Sequence, residues 1–136
     1  MEAWNYANLW ESVAAATPDR PALIHGDRVI SWQAFDGRAN ALAQHFLDAG
    51  LTQQSKVAAY LYNGPEYIES YFAAFKGGFA PFNTNYRYGG DELAYLFDNA
   101  DAEAVVFHAG TVREGNEIRT AGGRVLCVTA LGDSVK

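Results

Sequence analysis

The run Lys56-Val-Ala-Ala-Tyr-Leu-Tyr-Asn-Gly-Pro-Glu66 reads as a strand feeding directly into a helix. Lys56 to Leu61 is nearly all apolar, as in a strand covered on both faces. Asn63-Gly-Pro-Glu66 then supplies an N-cap, an early-helix proline and an N3 glutamate in one tetrapeptide. Ile68, Tyr71, Phe72 and Phe75 form the expected buried face of that helix, and Gly77-Gly78 ends it. The alternation continues downstream: Phe79 to Asn83 reads as a strand, and Asp91 to Asn99 as a helix with Leu93, Leu96 and Phe97 inward. Ala104 to Phe107 reads as the next strand. Thr111 to Ala121 is a weak helix interrupted by Gly115, Arg124 to Val128 a last strand, and Leu131 to Lys136 a loose tail. Strands separated by single helices imply right-handed crossovers and a mainly parallel sheet.

Upstream, Asn8-Leu-Trp-Glu11 has the spacing of a capping box, with Leu9, Val13 and Ala16 on one helical face and Pro18 as a stop. Pro21 to His25 and Arg28 to Ser31 are short apolar runs joined by Gly26-Asp27, the signature of a tight hairpin. Ser31 can cap a long helix with the stripe Phe35, Ala39, Leu42, Phe46 and Ala49, and Gly50 is placed to be its C′ residue. The expected architecture is therefore α/β: a mainly parallel, doubly wound sheet flanked by helices, preceded by a short helix and a β-hairpin.

The 136 residues are 49% hydrophobic and include 3 Trp, 8 Tyr and 8 Phe, too aromatic for a disordered segment. The length suits one domain. A formal charge of −6 argues against a general nucleic-acid binder, which needs a basic face. No apolar run approaches the ~18–20 residues of a membrane span. The start, Met1-Glu2-Ala3-Trp4-Asn5, lacks the basic-then-apolar pattern of a signal peptide, so a cytoplasmic chain is expected. Its single cysteine, Cys127, excludes an internal disulfide and a cysteine-rich metal site, and its apolar strand suits a small core residue.

No phosphate loop of the G-x-x-x-x-G-K-[ST] or strand–G-x-G-x-x-G type is present, and Gly77-Gly78 follows a helix, the wrong order for one. The histidines His25, His45 and His108 show no ligand spacing. The first two read as structural. His108 follows a buried strand, where α/β proteins often bind ligands, and is either a ligand contact or a surface loop residue. No catalytic group and no metal dyad can be assembled from neighbours in the chain. The loop Asn83-Thr-Asn-Tyr-Arg-Tyr-Gly-Gly90 is polar and aromatic and lies at a strand's carboxyl end. It is either functional or a solvated connector with Tyr86 or Tyr88 packed on the domain.

Four segments, in order, resemble the start of AMP-forming acyl-CoA synthetases of the adenylate-forming superfamily. Ile30-Ser-Trp-Gln-Ala-Phe35 is similar to the family's helix-opening (Thr/Ser)-Tyr-x-Glu-Leu. Lys56 to Glu66 is similar to its Val-Ala-(x)-x-x-Asn-x-x-Glu element. Ala74 to Arg87 resembles Lys-x-Gly-Ala-x-x-x-Pro-x-Asn, and Asp91-Glu-Leu-Ala-Tyr-Leu-Phe-Asp-Asn-Ala-Asp101 resembles the Glu-Leu-x-Tyr-x-(x)-x-Asp-(Ser/Asn) helix. The likeness runs from about Asn8 to Cys127. The wording around Asn85-Tyr-Arg-Tyr and Tyr95 to Asn99 is most similar to ligases for fatty and steroid-derived acids. Ala34 stands where the family has a glutamate, leaving the Ser31 capping box incomplete, and Gly78 where alanine is usual.

The resemblance implies an N-terminal subdomain, residues 1–136, of a ligase that uses ATP, Mg²⁺ and CoA to convert a carboxylic acid to its thioester. The family's phosphate loop, ribose-binding acid and catalytic lysine lie downstream of the matching region. The chain alone is therefore expected to need no cofactor, to carry no catalytic residue and to be inactive. Packing surfaces meant for the rest of the ligase would leave it prone to self-association through a sheet or helix face. One family contact carries over: an arginine before the Glu-Leu helix that meets the nucleotide end of CoA in some benzoate-type ligases matches Arg87, which is otherwise a generic surface arginine. The alternative is a self-contained, non-catalytic α/β binding module. A phosphoacceptor receiver is disfavoured, because the strand ending Tyr60-Leu-Tyr-Asn63 carries no acids.

Overall fold

The computed structural model describes residues 5–108 together with the strands at 119–120, 123–124 and 126–130. Helix α1 (Tyr6–Ala16) is followed by the antiparallel hairpin β1 (Pro21–His25) and β2 (Arg28–Ser31), closed by Gly26-Asp27 as the sequence implies. Then come α2 (Trp32–Asp48), β3 (Lys56–Tyr60), α3 (Pro65–Gly77), β4 (Ala80–Asn83), α4 (Gly90–Asn99) and β5 (Ala102–His108). Two-residue strands β6 (Arg119–Thr120) and β7 (Gly123–Arg124) pair with each other, and β8 (Leu126–Ala130) joins the main sheet. Its strand order is β4-β3-β5-β8, all parallel.

The α/β expectation holds, and the departures are local. Asn5 caps α1, not Asn8: its Oδ1 accepts from the Asn8 N–H at 3.1 Å, while Asn8 Oδ1 accepts from the Asn5 N–H at 3.2 Å. This reciprocal pair satisfies two orphan donors without the glutamate the motif usually carries. The inner face of α1 is Ala7, Trp10 and Ala14 rather than Leu9, Val13 and Ala16. Trp10 sets that rotation, with its ring 5.1 Å from Phe72 and 5.8 Å from Phe35. On α2, Ser31 Oγ accepts from the Ala34 N–H at 3.2 Å, and Ala43 replaces Ala49 on the buried stripe because Ala49 is already the C-cap.

Helix α3 is capped by Gly64 in extended geometry, not by Asn63, so Pro65 is N1. Its buried residues are Pro65, Glu66, Glu69, Ser70, Phe72, Ala73 and Ala74, while Ile68 is exposed and Tyr71 and Phe75 are half-buried. Gly78 ends the helix at φ 74°, a left-handed conformation that explains glycine in place of alanine. A Cβ on Gly77 would overlap the Phe79 ring, so the pair is a stop and a close-packing site. The helix expected over 111–121 falls mostly outside the described residues, and Arg119–Thr120 within it is strand. The tail at 131–136 lies outside the described residues as well.

Alternation along the strands divides the core in two. Val57, Ala59, Leu61, Ala104 and Val106 face α2 and α3, where Phe46 and Phe72 are fully buried. Ala58, Tyr60 and Val105 face α4 through Leu93 and Phe97. Helix α3 therefore leaves the sheet toward one face and α4 returns over the other, which makes the sheet doubly wound.

Candidate functional site

Three exit points of this sheet converge. Tyr62 follows β3, Tyr86 follows β4 and His108 ends β5. The Tyr62 ring stacks on His108 at 5.4 Å with planes 20° apart, and Tyr86 leans on Tyr62 at 5.0 Å. Ligands of parallel sheets sit at the carboxyl ends of strands, where successive connections part to opposite faces. Here the chain leaves β3 toward α3 and, after β4, crosses over to β5 on β3's other side.

The loop after β4 is held by turn chemistry. The Thr84 N–H donates to the Ala59 carbonyl at 3.0 Å, extending the ladder by one bond. Asn85 Oδ1 accepts from the Arg87 N–H and the Asn85 carbonyl from the Tyr88 N–H, both at 3.0 Å. The Tyr60 hydroxyl donates to the Tyr88 carbonyl at 2.9 Å, and burial, reinforced by Tyr62 and Glu92, raises its pKa so that it stays a donor. Glu92 Oε2 accepts from the Gly89 N–H at 2.6 Å, opening α4. Arg87 is exposed and lies 5.6 Å over the Tyr86 ring, a cation–π contact. Thr84 is buried at 1% exposure, and its Oγ1 has no hydrogen-bond partner among the described residues.

Behind this edge, α3 carries two buried carboxylates. Glu66 pairs with Arg28 of the hairpin at 2.9 Å, and Glu69 with Arg38 of α2 at 2.7 Å. Burial pushes the Glu66 carboxyl up, but its own backbone N–H, Arg28 and the charge of His108 together bring it below its usual range. For Glu69 burial wins over Arg38, and its pKa is raised. The two act oppositely with pH. Glu66 stabilises the fold above its unfolded pKa, and that contribution fades as pH falls through the folded value. The burial cost of Glu69 is present above its folded pKa and vanishes as pH falls below the unfolded one. At pH 7, Glu66→Gln should cost roughly 1–2 kcal/mol, whereas Glu69→Gln should cost nothing or stabilise. Urea unfolding checks this, and the difference between the variants should shrink as pH falls through the lowered folded pKa of Glu66. Equal losses at pH 7 would show the sign for Glu69 to be wrong.

The structure thus brings His108 to the site and leaves His25 exposed at the hairpin turn and His45 exposed in the last turn of α2. Cys127 lies on β8 opposite Val105. Tyr62 and the Arg28–Glu66 pair were not signalled by the chain's local pattern. Among the described residues there is no group of three or more His, Cys, Asp or Glu that could hold a metal ion, and no helix long and apolar enough to cross a membrane.

The model of the AMP-binding enzyme family matches residues 10–134. The chain belongs to the AMP-binding enzyme family. A medium/long-chain-fatty-acid–CoA/3-oxocholest-4-en-26-oate–CoA ligase of Mycobacterium marinum is 40% identical over 104 residues, covering 76% of this chain and 19% of that protein. The chain therefore spans about a fifth of this AMP-binding relative. Among solved structures, a putative long-chain-fatty-acid CoA ligase from Rhodopseudomonas palustris superposes with a TM-score of 0.73 at 27% identity, over 80% of this chain and 28% of that one. A fatty acyl CoA synthetase of Mycobacterium tuberculosis gives 0.79 at 18% identity, over 93% and 26%, which speaks for the fold alone.

Proposed function

We propose that residues 1–136 are the N-terminal subdomain of a cytoplasmic AMP-forming acid–CoA ligase acting on a fatty or steroid-derived acid. The observation that carries this is the 40% identity to the M. marinum ligase over 104 residues. The reaction has two halves. The carboxylate displaces pyrophosphate from ATP, giving acyl-AMP, and the CoA thiol then displaces AMP. The described residues offer no multi-carboxylate donor set for Mg²⁺ and the sequence no phosphate loop, so neither half is assigned to residues here. Their part is to wall the site and, at Arg87, to meet the phosphate end of CoA. The test is ATP–pyrophosphate exchange and thioester formation by the full-length ligase with fatty and 3-oxo-steroid acids. The 136-residue chain by itself should show no exchange above blank, and exchange by it would refute the assignment of the chemistry to other parts of the ligase.

Arg87 is exposed on an ordered turn, a suitable perch for a charge-assisted hydrogen bond to a partly solvated phosphate. In the full-length ligase, Arg87→Ala should raise the KM for CoA about tenfold at modest salt without altering the adenylation half. Lysine should rescue partly, as a point charge lacking the planar fork. An unchanged KM for CoA would return Arg87 to an ordinary surface residue.

A further inference from the structure

We propose that Arg28 and Glu66 are positioning residues, their ion pair a strut that fixes the β3–α3 turn and, through Tyr62 and Tyr86, the loop that carries Arg87. The proposal rests on the Arg87 reading above for its kinetic consequence, but not for its structural one. Arg28 opens β2 directly after the Gly26-Asp27 turn, and Glu66 is the second residue of α3, 38 positions further along the chain. Arg28 Nη1 donates to Glu66 Oε1 at 2.9 Å, which ties the hairpin to the start of the helix. The other carboxylate oxygen lies back over the turn: a Cβ on the N-cap Gly64 would stand 3.2 Å from Glu66 Oε2. Against the pull of burial, the Glu66 backbone N–H, Arg28 and the charge of His108 keep the carboxyl below its usual range. It is therefore ionised and holds both ends.

Between the buried Leu61 and this buttressed cap the chain has two residues, Tyr62 and Asn63. Tyr62 is carried between two fixed points, and its ring meets His108 at 5.4 Å and Tyr86 at 5.0 Å. Tyr86 in turn lies under the Arg87 guanidinium at 5.6 Å. A series of contacts thus runs from the hairpin to Arg87. Mutations along such a series shift coupling between its ends by roughly two- to thirtyfold. The second pair on α3 supplies the comparison. Glu69 is buried as deeply as Glu66 and pairs with Arg38 at 2.7 Å, but it joins the helix to α2 three residues beyond Glu66 instead of holding the cap.

The experiment compares Arg28→Met, Arg28→Lys, Glu66→Gln, the Arg28→Met/Glu66→Gln double variant and Arg38→Met in the 136-residue chain. The readout is the nuclear Overhauser effect between the Tyr62 and His108 rings, which reports distance rather than charge; matching circular dichroism spectra would show the variants folded. Arg28→Met and Glu66→Gln should each weaken it, and the double variant no further than Glu66→Gln alone. Arg28→Lys should keep part of it. Arg38→Met should leave it intact, whatever it does to stability. In the full-length ligase, Arg28→Met should raise the KM for CoA roughly threefold, less than Arg87→Ala because the guanidinium is displaced and not removed. Adenylation should be unchanged, and Arg38→Met should leave that KM as it is. If Arg87→Ala itself leaves the KM for CoA unchanged, the Arg87 reading fails and the ring contact alone decides the strut. An undiminished ring contact in Arg28→Met, an equal loss in Arg38→Met, or losses that add in the double variant would overturn it. So would an unchanged KM for CoA in Arg28→Met where Arg87→Ala raises it.

Discussion

Phe72→Ala should cost the fold about 3–5 kcal/mol, a large part of the stability of a domain this size. Phe72 is fully buried at the centre of the α1–α2–α3 layer, with Phe35 at 4.8 Å and Trp10 at 5.1 Å, and the Lys76 ammonium lies 4.4 Å over its ring. Removing it loses the transfer free energy of a phenyl ring and opens a cavity between three helices. These cannot close in without dragging along the hairpin that precedes α2. Phe72→Leu should recover more than half, since it refills most of the volume while forfeiting the ring pairs. Urea unfolding followed by tryptophan emission reads both variants, because Trp10 touches the missing ring. A loss below about 1.5 kcal/mol for alanine would mean the layer collapses around the gap and is less rigid than its packing implies.

That residue was legible in the sequence because its partners lie at helical spacing, and so were the hairpin and the α/β alternation. What failed was one-dimensional in the same way each time. Apolar periodicity counts only apolar residues, so it places Ile68 inward, leaves Glu66 as a capping residue alone and passes over Glu69. The carboxylates are buried through Arg28 and Arg38, which lie far back in the chain. At the start of α1, Asn5 and Asn8 are both good caps, and only the reciprocal bonds separate them. At the site, Tyr86 and His108 were each visible as residues at strand ends. Their meeting through Tyr62 was not, since the spatial order β4-β3-β5 is absent from the linear order of strands.

Lys76→Met should cost about 2–3 kcal/mol, below the 3–5 typical of breaking a buried pair because one of its partners is well exposed. The Lys76 side chain is 6% exposed, and its Nζ lies 2.6 Å from Glu11 of α1 and 2.7 Å from Asp36 of α2. One ammonium near the C-terminus of α3 thus ties both neighbouring helices to it, where the helix dipole also favours positive charge. Glu11, with its side chain 47% exposed, can turn to water when the lysine is gone. Asp36 cannot do so fully: its Oδ1 is sealed from solvent and no aligned hydrogen bond reaches it among the described residues, so Lys76 is its compensation there. Its other oxygen accepts from Asn40 at 3.3 Å. Adding Asp36→Asn to Lys76→Met should therefore restore roughly half of the loss by removing the stranded charge, whereas adding Glu11→Gln should restore little. A double variant with Asp36→Asn no more stable than Lys76→Met would place the cost in lost methylene packing over Phe72 instead of in the buried carboxylate.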